Sequence, residues 1–153
     1  MKTIEDEVAE QSVFQGIDPS HRALIAGCGH NRAFQDGAML MKEGEDANEF
    51  FVIRRGKVLL SLHAPERGEV SVETLDAGEI VGLSWLFPPY KVQFDARAVG
   101  PVFTISFDGA CLRGKCDRDP VMGYELMKRF AHIMTSRLQA TRLRMLDVYG
   151  SPA

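Results

Sequence analysis

Residues 50–82 read FFVIRRGKVLLSLHAPERGEVSVETLDAGEIVG, a stretch rich in β-branched and aromatic residues and punctuated by glycine. Residues 49–53 and 57–62 predict two strands, and the turn-forming residues 54–56 between them predict a tight hairpin. Residues 69–75 alternate apolar and polar side chains with the period of two that a half-buried strand requires. The stretch therefore predicts antiparallel β-structure.

The same β texture continues on both sides of this stretch, over residues 30–107, with glycines at the spacing of a roll or barrel. Helices are predicted on either side of it, in residues 1–29 and residues 108–149. The fold class is mainly β with flanking helices, built on an antiparallel β-roll (a double-stranded β-helix or jelly roll). One domain covering residues 1–153 is expected, because the chain is 45% hydrophobic and long enough to bury its own core.

The flanking segments carry helix start and stop signals. Two short helices are predicted before residue 29, where Asp18 or Ser20 can cap the second. A short helix is predicted for residues 108–118. One long helix then extends from Pro120 to about Tyr149, with glycine and proline directly after it.

The long helix carries two apolar stripes. One has heptad spacing, alternately four and three residues apart, and consists of Met127, Ala131, Met134, Leu138, Thr141, Met145 and Val148. The neighbouring stripe consists of Leu126, Phe130, Ile133, Arg137 and Ala140. A helix with two such faces can pack on its own roll and on a second helix, so we expect a two-fold homodimer through this C-terminal helix.

Composition and charge exclude several classes of function. The formal net charge is −3 and the sequence pI is near 5.8, so no broad basic footprint for nucleic acid is present. No apolar run approaches the roughly 18 residues that a membrane span requires. The acidic N-terminus and the odd count of three cysteines, without a CxxC pair, predict a cytoplasmic protein without a disulfide framework.

Catalytic and metal-binding patterns are absent from the sequence. The four histidines lie singly, whereas a metal-binding β-roll enzyme needs a His-x-His pair with a further histidine and a carboxylate. No nucleophile elbow, Walker loop or His-Glu-x-x-His motif is present. We therefore expect neither catalytic residues nor a metal site, and no cofactor can be named with certainty.

The order of three motifs carries a family resemblance: GAMLMKEG at 37–44, FFVIRRGKV at 50–58 and DAGEIVG at 76–82, followed by RLQAT at 137–141 in the long helix. Together they resemble the effector domain of the catabolite activator protein and fumarate-nitrate-reduction regulator superfamily. The resemblance extends from about Phe14 to Tyr149, and it implies that a cyclic nucleotide or another small effector is the ligand.

In that family the segment from Gly78 to about Ala98 forms a phosphate-binding cassette. The resemblance implies that Glu79 accepts a hydrogen bond from the ribose, and that the backbone at Gly82 approaches the phosphate closely. Thr141 takes the place of a helix hydroxyl that meets the base, and it can equally be a small interface residue. The candidate ligand-binding residues are Gly78, Glu79, Ile80, Val81, Gly82, Leu83, Ser84, Trp85, Val92, Gln93, Arg137 and Thr141.

Arg137 indicates a ligand site independently of the family, because it interrupts the apolar stripe that faces the roll. An unpaired guanidinium is costly there, so it needs an anionic partner or a path to water. Glu79 and a ligand phosphate are the two candidate partners.

The cassette departs from the family pattern at its phosphate clamp. Val92 stands where cyclic-AMP-binding members have an arginine, and Gln93 stands where they have a hydroxyl. Lys91 can substitute only if the loop bends it inward. Tight cyclic-AMP binding is therefore not expected. Aromatic residues of the longer cassette loop, Trp85, Phe87 and Tyr90, either line a pocket for a flat or apolar effector or plug it.

Two functions from different classes follow. One is a dimeric, small-molecule-sensing regulatory domain, and the other is a dimeric protein–protein interaction module with a degenerate ligand pocket. Family members that recognise promoters continue after the long helix into a helix-turn-helix domain, and here the sequence ends three residues after Gly150. We therefore expect no direct DNA binding.

Overall fold

The computed structural model describes residues 2–149, and in the last helix it describes side chains as far as Asp147. Within these residues, four helices and six strands follow one another, with single 3₁₀ turns at Ser12–Phe14 and Ser84–Leu86. In chain order the elements are α1 (Ile4–Glu10), α2 (Pro19–Ala26), β1 (Gly29–Phe34), β2 (Met39–Met41), β3 (Glu49–Ala64), β4 (Gly68–Leu75), β5 (Ile80–Val81), β6 (Asp95–Asp108), α3 (Gly109–Arg118) and α4 (Pro120–Tyr149).

The six strands form one antiparallel sheet that curls into the predicted β-roll. Its main path is β1-β6-β3-β4, while β2 adds to β6 and β5 adds to β3. The predicted helices are present at both ends of the chain, and the Asp18 carboxylate caps α2 by accepting a hydrogen bond from the Ser20 amide at 2.9 Å. The expectation of a β-roll with flanking helices is confirmed.

The predicted hairpin at residues 54–56 is wrong, because β3 runs straight through these residues. Strand β3 pairs with β6 from Glu49, opposite Asp108, to Ser61, opposite Asp95. Register shifts on both sides of Arg55 mark a bulge, and Gly56 has a φ of +100°. A Cβ on Gly56 would lie 2.5 Å from the Pro101 carbonyl oxygen, so glycine here serves a bulge and a close strand approach.

The sheet separates two hydrophobic cores, and alternate residues of β3 enter different cores. Phe50 and Val52 enter the helix-side core, which lies between the sheet and the helices and includes Phe107 and Phe130. Phe51 and Ile53 enter the roll-interior core, which also includes Leu60, Leu75, Val81, Ala96 and Ala98. All four of these β3 side chains are fully buried, because both faces of the strand are covered.

A disulfide joins Cys28 to Cys111, which contradicts the expectation from the cysteine count. Strand pairing brings the two residues together: Gly29 lies opposite Phe107, and the Asp108 amide donates to the Cys28 carbonyl oxygen at 2.9 Å. The two cysteines are 83 residues apart in sequence, so local spacing carried no sign of the contact. Cys116 is free. The pKa of its thiol is raised, chiefly by burial and further by the charges of Asp117 and Asp119.

The long helix α4 confirms the prediction from Pro120 onward. Leu126 and Phe130 of its second stripe are buried against the sheet, whereas Leu138 and Met145 of the heptad stripe are more than half exposed, at 51% and 55%. The side chain of Val148, the last residue predicted for the dimer interface, lies outside the described residues. Over the described residues, no helix combines the length and the apolar character that crossing a membrane requires.

Candidate ligand pocket

An apolar pocket of about 230 Å³ opens between the roll interior, the cassette loop and α4. Strand β5 and the loop after it supply one wall, the segment before β6 supplies another, and α4 closes the third. The pocket is lined by Met41, Ala47, Glu49, Leu60, Val81, Gly82, Leu83, Ser84, Phe87, Val92, Gln93, Phe94, Ala96, Met134 and Arg137. The structure thus brings together seven of the predicted ligand-binding residues, from Val81 to Ser84 and at Val92, Gln93 and Arg137.

The backbone at Gly82 is crowded by a side chain. Gly82 has a φ of +99°, so the position favours glycine on conformational grounds alone. A Cβ there would overlap the Met41 side chain and lie 3.3 Å from the Glu49 carbonyl oxygen. A single 3₁₀ turn, Ser84–Leu86, follows. The close approach that the resemblance assigns to a phosphate is made here by Met41.

The phosphate clamp of the family has no counterpart among the side chains around this pocket. Val92 is 9% exposed and apolar, and the Gln93 amide donates to the Lys91 carbonyl oxygen at 3.1 Å. Lys91 itself forms an ion pair with Asp46. The inward bend that would let Lys91 replace the missing arginine does not occur, since its ammonium is already held by a carboxylate.

Arg137 reaches from α4 to the edge of the roll, where its guanidinium donates to the Ile80 carbonyl oxygen. It does not form an ion pair with any carboxylate in the part of the chain that the structure describes. Burial lowers the pKa of Arg137, and the charges of Glu73 and Glu79 act in the opposite direction from a longer range. The predicted pairing with Glu79 is therefore not formed, and a neutral carbonyl takes its place.

Glu79 lies outside the apolar pocket, although the resemblance assigns it to the ligand. Its carboxylate accepts a hydrogen bond from the Asp76 amide at 2.6 Å and so closes the turn before β5. Gly78, Glu79 and Ile80 instead line a second, more polar pocket of about 210 Å³, beside His132 of α4. Arg137 lines both pockets and therefore stands between them.

Of the three aromatic residues that were predicted to line or plug the pocket, only Phe87 lines it. Trp85 is fully buried in the helix-side core, where its ring stacks on Phe50 with centroids 4.7 Å apart. Tyr90 faces α3, and the Arg113 guanidinium lies 4.4 Å from its ring centroid. The pocket is open because the two larger rings pack elsewhere.

Two residues of α4 make contacts that the sequence did not predict. The Thr141 hydroxyl donates to the Arg137 carbonyl oxygen at 2.9 Å, which is a contact within the helix, and Thr141 does not line the pocket. Met134, which is also predicted for the dimer interface, lines the pocket. Met41, Glu49, Leu60 and Ala47 also line it and were not predicted. Met41 lay within the first family motif, which was the available signal.

The described residues contain no group of three or more histidine, cysteine, aspartate or glutamate side chains arranged to hold a metal ion. The polar groups at the pocket are one cation, one carboxylate, a hydroxyl and an amide, supplied by Arg137, Glu49, Ser84 and Gln93. The Glu49 carboxylate is already bridged to Arg32 at 3.2 Å. Such a site can hold a small molecule by its apolar surface and one charged contact.

Fold and pocket together define a class of protein: a β-roll ligand-binding domain whose pocket is closed by its C-terminal helix. Comparison with known protein families identifies the family within this class. The model of the cyclic nucleotide-binding domain matches residues 31–119, and the chain belongs to this family.

Among curated proteins, the chain is 25% identical over 144 residues to the CRP-like cAMP-activated global transcriptional regulator of Mycobacterium tuberculosis. That alignment covers 94% of this chain and 62% of the regulator, so the chain spans less than two thirds of the curated relative it matches. The relative is a transcriptional regulator.

Solved structures confirm the fold. A cyclic nucleotide-binding protein from Geobacter metallireducens has a TM-score of 0.80 and 26% identity, over 90% of this chain and 99% of that chain. A cyclic nucleotide-binding domain from Methylobacillus flagellatus has a TM-score of 0.79 at 17% identity, over 98% and 83%. The catabolite activator protein of Thermus thermophilus has a TM-score of 0.69 at 21% identity, over 90% and 62%.

Proposed function

We propose that this chain is a small-molecule-sensing regulatory domain of the cyclic nucleotide-binding type that does not bind cyclic AMP tightly. The observation that carries the proposal is the open apolar pocket beneath α4, in which Val92 and Gln93 occupy the clamp positions. Loss of one bidentate arginine–phosphate contact costs about 1.5–3 kcal/mol per charged hydrogen bond. The cavity also favours effector binding over a degenerate pocket, since Trp85 does not fill it.

Restoring the clamp tests this proposal. In calorimetric titrations with cyclic AMP, the double variant V92R/Q93S is expected to bind roughly a hundredfold more tightly than the unmodified protein, from one regained charge-assisted contact. The Q93S variant is the matched control, because it supplies the hydroxyl without the charge. Tight binding by the unmodified protein, equal to that of the double variant, would contradict the proposal.

The domain is further proposed to act as a homodimer through α4. Support comes from apolar side chains of the heptad stripe that remain exposed in a single chain: Met127 at 42%, Leu138 at 51% and Met145 at 55%. Exposed apolar surface of this kind marks an association site when it is contiguous. Thr141 and Ala131 lie in the same stripe and would permit close helix contact.

Sedimentation analysis of two matched variants tests the dimer. Leu138→Glu places a charge in the heptad stripe and is expected to weaken association by at least tenfold, because two charges would meet across the two-fold axis. Leu143→Glu makes the same change at a residue that is 54% exposed and lies off the stripe, so association should persist. A dimer that survives Leu138→Glu and is lost with Leu143→Glu would place the interface on another face.

We also propose that the protein works in the cytoplasm, by analogy with the transcriptional regulator that it resembles. The disulfide removes the support that the cysteine count had offered, because such bonds are rare in reducing compartments. Cell fractionation followed by immunoblotting tests this location. Recovery in the cytosolic fraction is expected, and recovery in a membrane or secreted fraction would contradict it.

A further inference from the structure

The pocket has the size of a compact ligand with one or two rings or a medium-length chain. Its volume is about 230 Å³, and an engineered cavity of about 150 Å³ in another protein is known to bind benzene. Most of its wall is apolar, with Leu60, Val81, Phe87 and Val92 among the lining side chains. A ligand that fits this space gains its affinity mainly from burial of apolar surface.

One positive charge on the wall has no ionic partner among the residues that the structure describes. The two charged residues that line the pocket are Glu49 and Arg137, and Glu49 is neutralised by Arg32 at 3.2 Å. The Arg137 guanidinium donates to one neutral carbonyl, that of Ile80. A guanidinium has five N–H donors, so further donors remain for a ligand. Glu73 and Glu79 act on Arg137 only over a longer range.

The distribution of cations favours a carboxylate over a phosphate diester. The family resemblance implies that a cyclic phosphate diester is held by an arginine on the cassette side. On that side Lys91 is paired with Asp46, Val92 is apolar, and Met41 crowds the Gly82 backbone. A carboxylate needs no contact on that side, because its planar group can pair with the guanidinium of Arg137 alone through two parallel hydrogen bonds.

We propose that this pocket binds a compact apolar monocarboxylate, whose carboxylate pairs with Arg137 while its apolar body packs against Leu60, Val81 and Phe87. The proposal rests on the proposed function as an effector domain and names the class of effector. Binding would give Arg137 the anionic partner that its place in the apolar stripe requires. Since Arg137 lies on α4, the ligand would couple the roll to the helix that is proposed to dimerise.

Two acids and their matched primary amides provide the probes: 3-phenylpropionate with 3-phenylpropionamide, and octanoate with octanamide. Calorimetric titration is expected to show that each acid binds at least tenfold more tightly than its amide, since only the acid forms a charge-assisted pair. In Arg137→Met this preference should disappear while the amide still binds, which also reports that the variant is folded. Arg142→Met, an exposed residue on the same helix, is the control and should keep the preference.

Each other outcome has a defined meaning. Equal binding of acids and amides would overturn the carboxylate class and leave the effector pocket standing. An acid preference that survives Arg137→Met would place the anion elsewhere and overturn the role of Arg137. Absence of binding by all four probes, together with tight binding of cyclic AMP, would overturn this inference and the proposed function together. Absence of binding by the four probes alone would overturn the ligand class only.

Discussion

The two cores that share β3 differ in how completely they are filled. In the helix-side core, Phe50 stacks between Trp85 and Phe107 with centroids 4.7 Å away on each side, and Phe130 meets it edge-on at 5.3 Å. The roll-interior core contains one aromatic pair, Phe34 and Phe51 with ring centroids 5.5 Å apart, and otherwise smaller aliphatic side chains, and it borders a pocket of about 230 Å³. The difference indicates that the helix-side core contributes more to stability, whereas the roll-interior core borders the space in which we propose that a ligand binds.

Removal of an aromatic ring from each region should give the largest difference in the free energy of unfolding. Phe50→Ala is expected to lower the free energy of unfolding by about 3–5 kcal/mol, because it leaves a cavity inside a closed stack. Phe87→Ala, at the half-buried wall of the pocket, should cost about 1 kcal/mol or less, since solvent already reaches that space. Urea denaturation measures both values. Equal losses would show that the pocket wall carries as much stability as the stack.

The disulfide should add to the stability of the helix-side core, at whose edge it lies. Cys28→Ser is expected to lower the free energy of unfolding by about 2–4 kcal/mol, because the bond restricts a long loop in the unfolded chain. Cys116→Ser is the matched control, since Cys116 is free. Thermal unfolding with and without reductant measures the effect. A melting temperature that does not change on reduction would contradict this expectation.

Addition of methyl groups should lower stability more in the filled core than at the wall of the open one. A Cβ on Gly109 would lie 2.9 Å from the Trp85 Cβ and 3.2 Å from the Asn48 carbonyl oxygen. Gly109→Ala is therefore expected to cost about 1–2 kcal/mol despite its better helix propensity. Ala96→Val adds two methyl groups at the pocket wall and should change stability by less than about 0.5 kcal/mol. Denaturation midpoints that fall equally for both variants would contradict the difference.

The smallest effect is expected at the exposed rim of the helix layer, where Asp18 caps α2. Hydrogen bonds from the Ser20 hydroxyl and amide lower the pKa of the Asp18 carboxyl. A carboxyl with a lowered pKa in the folded state stabilises the protein above its unfolded pKa, and this contribution is lost as the pH falls through the folded pKa. Asp18→Asn keeps a capping side chain and does not titrate. The variant should lose that part of the acid dependence of the free energy of unfolding. Unfolding measured between about pH 5 and about pH 2, with NMR titration of the Asp18 carboxyl in the unmodified protein, checks this.

Much of the architecture could be predicted because local patterns carried it. The period of two in residues 69–75 predicted β4, and Pro120 correctly marked the start of α4. The structure at Gly56 could not be predicted correctly, since a glycine beside two arginines is compatible with both a hairpin turn and a β-bulge. Only the pairing of both halves of β3 with β6 distinguishes them, and that pairing is a long-range property.

The site was predictable where family motifs placed it and unpredictable where tertiary packing decided. Val92 and Gln93 were correctly placed at the pocket, since the motif order fixed the cassette. Trp85 was predicted for the site and lies in the helix-side core, because its large ring gains more from stacking on Phe50 than from a half-open wall. Glu79 was taken from the resemblance, and its carboxylate is used by a local turn.

The bond between Cys28 and Cys111 also closes a covalent ring around most of the roll. Every strand from Gly29 to Asp108 lies on this ring, so one proteolytic nick in the exposed β3–β4 loop at Glu66 would leave two fragments joined. Such a nicked chain would migrate as one species in a gel without reductant and as two with it. Both fragments line the pocket, the first with Met41 and Leu60 and the second with Val81 and Arg137, so the bond would hold the parts of the pocket in one covalent molecule.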